Sequence, residues 1–173
     1  MILQEQLRKE ALRLFEDTEL SSKSHFVAAE RWENTNLCLS IPSIILSVIA
    51  GSLALGKILP YFEIFAGLSG FGAAALISLL AFLKPNTKYE TYMRFGNKYL
   101  ALKGDIRRYV DIELDLDGAD NQKKSLLDNL ISSKKEIDSS APLISNWAYK
   151  NAKKRIENGE TKYKVDKGNF SKK

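Results

Sequence analysis

The acidic stretch DIELDLDGAD, Asp111 to Asp120, places carboxylates at alternate positions ahead of a glycine, as the first half of a calcium loop does. With Glu113, Asp115, Asp117 and Gly118 set at the first, third, fifth and sixth positions of an EF-hand, the twelfth position falls on Lys124. That position needs a bidentate carboxylate, and an ammonium there repels the ion. The register fails, and the stretch reads as a solvated helix end followed by a turn. His25 is the single histidine, so it offers a proton switch or an interfacial packing residue, not a ligand cluster. Cys38 is the single cysteine and has no thiol or imidazole beside it for metal binding or nucleophilic chemistry. GLSGFG, Gly67 to Gly72, has the glycines of a phosphate loop, but it lies within an apolar run, where glycines serve helix packing. Nothing in the chain supports catalysis, and no cofactor or metal is expected.

The elements around these residues point elsewhere. Of 173 residues, 26 are Lys or Arg and 21 Asp or Glu, a net charge of +5, yet the charges leave two long gaps. No charged residue lies between Glu33 and Lys57, or between Glu63 and Lys84. The runs LCLSIPSIILSVIAGSLALG and IFAGLSGFGAAALISLLAFL each reach the roughly twenty residues that an α-helix needs to cross about 30 Å of hydrocarbon. A core helix of a soluble domain keeps a polar stripe toward water, whereas only serines interrupt these runs. A buried helix pair would need a covering layer that a chain of this length cannot supply. The runs therefore predict a transmembrane hairpin, with spans over about 37–58 and 63–84. Trp32, Tyr61, Phe62, Tyr89 and Tyr92 stand at its edges, where amphipathic rings favour the interface. Lys84 can snorkel from the end of the second span. Pro60 breaks the connection, and Pro42 falls early in the first span as a first-turn residue or a kink. The connection holds only Lys57 as a basic residue. The flanks hold Lys23 and Arg31, and then Lys84, Lys88, Arg94, Lys98 and Lys103, so both termini are expected on the cytoplasmic side. MILQEQLRKEALRLFEDTE is charged from Glu5, so no secretory signal is expected.

The spans are rich in small residues. Every fourth residue of the second gives Ala66, Gly70, Ala74 and Ser78, a face on which two backbones can approach closely. Ser43, Ser47 and Gly51 offer a match on the first. These faces either close the hairpin within one chain or meet other subunits. No ionisable group lies inside either span, which argues against proton-coupled transport and charge-driven gating. The weakly polar residues Ser40, Ser43, Ser47, Gly51 and Ser69 are the candidates for lining a pore. Two helices cannot enclose water, so any pore needs several copies.

Outside the hairpin the apolar periodicity is helical throughout. Residues 1–36 form an N-terminal cytoplasmic helix with a stripe of Leu3, Leu7, Ala11, Leu14 and Phe15, continued by Phe26, Ala29 and Trp32. Residues 85–160 form a cytoplasmic helical bundle, and 161–173 a basic tail. A long helix from about Asn86 to Asp115 presents Tyr92, Phe95, Tyr99, Leu102, Ile106 and Tyr109, and tolerates Gly96 and Gly104. A second runs from about Gln122 to Ser139, and a third starts between Ser140 and Pro142 and closes at Gly159. From Lys150 the chain holds nine basic and three acidic residues. This end could meet anionic lipid, a nucleotide or RNA, and its plainest reading is a solvated helix end with a frayed terminus. No nucleic-acid partner is expected. The fold class is thus all-α: a membrane hairpin with a cytoplasmic bundle, homo-oligomeric in the bilayer.

With these stretches in view, the chain resembles the SLATT family of bacterial two-span proteins. The likeness runs through EDTELSSKSHFVAAERW, IPSIILSVIAG, FLKP, YETYMRFGNKYLALKGDIRRYVDIEL and APLISNWAYKNAKKRIENGETKY, from about Glu16 to Tyr163. It implies a pore-forming, non-enzymatic effector of bacterial conflict systems that permeabilises the inner membrane after infection is sensed. It also implies a nucleotide second messenger or an upstream sensor protein as trigger. No appended sensor or synthase domain is expected from these stretches, so the trigger is expected from a partner or at the bundle itself. The alternative is a non-conducting membrane adaptor that anchors and clusters a cytoplasmic partner.

Overall fold

In a computed structural model, the described residues are 2–56, 61–116 and 119–161, and among them there is helix, turn and coil but no strand. Met1, the connection 57–60, the Asp117–Gly118 pair of the acidic stretch, the tail from 162 and the side chains of Ile2 and Phe62 lie outside the described residues. Five α-helices follow one another: α1 Ile2–Gly56, α2 Tyr61–Leu83, α3 Pro85–Arg108, α4 Asp120–Ser140 and α5 Asn146–Glu157. Contacts divide the chain into two units, Met1–Ala28 with Thr91–Lys173, and Ala29–Glu90.

Helix α1 is the first departure from the sequence pattern. It runs for 55 residues with no break near Asn36, so the N-terminal stripe and the first apolar run belong to one helix. Pro42 lies inside it rather than at a helix start. With no N–H, Pro42 leaves the carbonyl one turn earlier without its helical partner. Helices α2 and α3 meet at Lys84, whose φ of 46° is the left-handed conformation that commonly ends a helix. Pro85 then begins α3, where its fixed φ suits the first helical turn.

The first unit is built on apolar stripes. Leu7, Ala11 and Leu14 of α1 meet Leu102, Ile106, Tyr109, Val110 and Leu114, with Leu127 of α4 completing the cluster. Removing a side chain such as Ile106 from water contributes roughly 1.5–3 kcal/mol. Helix α3 does not simply run on. At Tyr109–Glu113 it becomes a single π turn, and the Leu114 amide donates to the carbonyl of Tyr109 at 3.0 Å. The wider turn absorbs an extra residue and swings Leu114 back to the core, where it is fully buried. A second cluster joins Val27 and Ala28 of α1 to Ala148 and Ala152 of α5.

Helix α5 starts later than its pattern suggests. Ala141 to Ser145 form an extended turn, because the residue before Pro142 is driven out of the helical region. The helix begins only at Asn146, where the Ser145 hydroxyl caps it by accepting from the Ala148 amide at 3.3 Å.

The second unit holds the two apolar runs side by side. Only 6% of each apolar window is buried within the chain. Ile44, Val48, Leu55, Ile64, Leu68, Phe71 and Phe82 all stand exposed, with Phe82 82% accessible. A helix pair in water would bury such residues, so the two helices have the length and the surface of membrane-spanning segments.

Candidate functional site

Within the hairpin, Ser43 and Ala73 are buried between the two helices. A β-carbon on Gly70 would sit 3.8 Å from Cβ of Ala50, and one on Gly72 would sit 3.3 Å from Cδ1 of Leu46. The glycines therefore allow close backbone approach within one chain. The small face drawn from the sequence is divided by this packing. Ala66 and Gly70 are half-buried, while Ala74 and Ser78 are exposed. The sequence pattern missed Ala73, because reading every fourth residue follows a row that drifts away from a straight contact line; the three-residue step from Gly70 finds it.

The five residues considered as pore lining do not share one face of the chain. Ser43 is buried, Ser40 and Ser69 are half-buried, and Ser47 and Gly51 are exposed. Apart from its own helix backbone, no described residue lies within 4 Å of a β-carbon built on Gly51. The hydroxyls of Ser43, Ser47 and Ser78 donate at 2.8 Å to the carbonyls of Ser40, Ser43 and Ala74 in their own helices. Each donor is thus satisfied locally, which lets serine face lipid or a partner helix at little cost. At one end of the hairpin the Lys88 ammonium lies 4.1 Å from the centre of the Trp32 ring, a cation–π contact.

The first unit holds the polar chemistry. His25 is buried, with its ring 5.1 Å from that of Tyr99 and about 6 Å from those of Tyr92 and Phe95. Its Nδ1 donates to the Ser21 carbonyl at 2.8 Å, while Nε2 is buried with no hydrogen-bond partner among the described residues. Burial holds the imidazole pKa below its ordinary value and outweighs the Ser21 carbonyl, Asp138 and the Pro142 carbonyl, all of which favour the charged ring. The Tyr99 hydroxyl donates to Asp138 at 2.7 Å, and Lys134 holds the other oxygen of that carboxylate at 2.8 Å. Burial, with Asp138 beside it, pushes the Tyr99 phenol well above its usual range. These groups border a cavity of about 370 Å³ that also reaches Asp17, Ser24 and Tyr149.

Sequence reading also missed the polar work of the α3 tyrosines, which appear in the pattern only as apolar positions. Tyr92 donates to the Leu143 carbonyl at 3.0 Å, and Tyr109 donates to the Lys123 carbonyl at 2.9 Å. With Tyr99, they tie α3 to both ends of α4 and to the turn before α5. A tyrosine recurring where leucine would serve is the signal that could have found them. Lys103, counted among the flanking charges, instead makes a buried ion pair with Glu19 at 2.6 Å. Asp115 pairs with Arg8 of α1, so its carboxylate is engaged by a cation of the chain itself.

No known protein family, curated protein or solved structure matches the chain.

Proposed function

We propose that this protein is a pore-forming effector of a bacterial membrane, a homo-oligomer whose hairpins assemble around a channel and permeabilise the inner membrane when triggered. The observation that carries this reading is the uncovered hairpin surface: two uncharged helices with exposed isoleucine, leucine and phenylalanine beside exposed small residues. Lipid satisfies the large side chains, and the small positions Ser47, Gly51, Ala74 and Ser78 let a second hairpin approach closely. Both termini face the cytoplasm in this reading, and the first unit is the receiving end for a nucleotide second messenger or an upstream sensor protein. The resemblance to SLATT proteins supports the same assignment to bacterial conflict.

The test is membrane potential in bacteria during induced expression, followed with a potential-sensitive dye. Depolarisation by the wild type, and none by an equally abundant Ala74→Leu variant, supports a pore assembled through the outer small face. A steady potential with protein in the membrane and a cytoplasmic protein retained on it would favour the non-conducting adaptor.

A further inference from the structure

Helix α5 and the turn before it pack on Val27, Ala28 and Tyr92, next to the unit boundaries at Ala29 and Glu90. Ala28 is nine residues from Leu37, where the first apolar run starts, and Tyr92 is nine residues from Leu83, where α2 ends. Along the chain, the segments on which α5 packs are thus only a few residues from the ends of the two apolar runs.

Helix α5 has a basic surface. Ala148 and Ala152 face the core and are fully buried. Trp147, Lys150 and Lys154, three and four residues apart, share an exposed edge, with Lys153 beside them and Glu157 as the acidic residue of that face. In the preceding turn Leu143 is 93% exposed, while its carbonyl is held by the Tyr92 hydroxyl. Trp147 is 48% exposed. Leucine and indole enter the boundary between headgroups and acyl chains, and lysines pair with lipid phosphates.

We propose that the Leu143–Lys154 surface docks on the anionic headgroups of the membrane that the hairpin crosses. This inference rests on the membrane reading of α1 and α2 but not on pore formation. The docking gives the first unit a second attachment to the bilayer, broken and remade independently of the spans.

The full chain, reconstituted in phosphatidylcholine–phosphatidylglycerol vesicles with brominated acyl chains, tests it through its two tryptophans. Trp32→Phe leaves Trp147 as the reporter, and Trp147→Phe leaves Trp32, which flanks the first span. The expected result is quenching of both by bromolipid. Quenching of Trp147 should fall when Lys150, Lys153 and Lys154 are replaced by Gln, a shift of docking by about a hundredfold. Quenching of Trp32 with Trp147 open only to aqueous iodide overturns docking and leaves the hairpin standing. Trp147 shielded from both quenchers also overturns it, because protein then covers that face. Failure of both reporters to meet lipid removes the membrane reading and the docking together.

Discussion

Gly96 of α3 lies so close to Phe26 of α1 that a β-carbon on it would fall 2.7 Å from the phenylalanine Cε1. The same crossing is bonded by Ser22, whose buried hydroxyl donates to the Gly96 carbonyl at 3.0 Å. Around Gly104, two turns further along α3, no described residue beyond its own helix backbone lies within 4 Å of the equivalent point. Two glycines of one helix are thus present for different reasons.

Gly96→Ala should lower stability by about 1–3 kcal/mol, the usual cost of overpacking. Gly104→Ala should raise it by up to about 1 kcal/mol, the helix-propensity difference. Thermal melts of the detergent-solubilised protein, followed by circular dichroism, give both signs. Equal effects would mean that the α1–α3 crossing is looser than described.

The Lys103–Glu19 pair is buried on both sides, with side chains 8% and 15% exposed. Lys103→Met should destabilise by about 3–5 kcal/mol, because it leaves the Glu19 carboxylate in the interior without its cation. The double variant with Glu19→Leu should recover most of the loss. A double-mutant cycle measures this, and additive losses would show that the two groups do not depend on each other.

His25 sets a pH dependence. Its pKa in the fold lies below the ordinary 6.5, so the folded state favours the neutral ring. The unfolded chain takes up the proton first as pH falls, so stability is full above about 6.5 and declines below it, through the folded-state pKa. Asp138, Lys134 and Asp17 line the same cavity, so a control must keep them. Melts from pH 7.5 to 5.0 should show a decline that His25→Phe flattens. The same slope in that variant would assign the decline to carboxylates.

Gly70 and Ala74 separate the contact within the hairpin from the contact proposed between copies. Gly70→Leu meets Ala50 within the chain and should loosen the hairpin by about 1–3 kcal/mol. Ala74→Leu sits on the exposed side and should leave the hairpin intact while blocking close approach of a second copy. Cross-linking in membranes, read as oligomer size, checks this. A normal ladder from Ala74→Leu would exclude that residue from the subunit contact.

The helical character and the two apolar runs were legible in the sequence, because length, charge gaps and 3.6-residue periodicity are local properties. Among the described helices, α4 lies within two residues of its expected bounds at each end, since its stripe of Leu127, Leu130 and Ile131 is continuous. The continuity of α1 through Asn36 was not legible. Polar residues at that level break the apolar pattern without breaking helical geometry, which no glycine or interior proline there interrupts. The start of α5 was missed because proline and serine near 140 resemble a helix entry, and only the extended turn that seats Leu143 beside Tyr92 moves the start to Asn146.

What the sequence alone determined is therefore the kind of chain this is: all helix, with two uncharged runs long enough to cross a bilayer. Burial and partnership were decided only by tertiary structure. A heptad position cannot say whether Lys103 faces water or Glu19, whether Gly96 meets Phe26 or Gly104 meets no described residue beyond its own helix, or which of Gly70 and Ala74 turns inward. Those outcomes depend on where a second helix crosses, a relation between residues tens of positions apart that no local periodicity encodes.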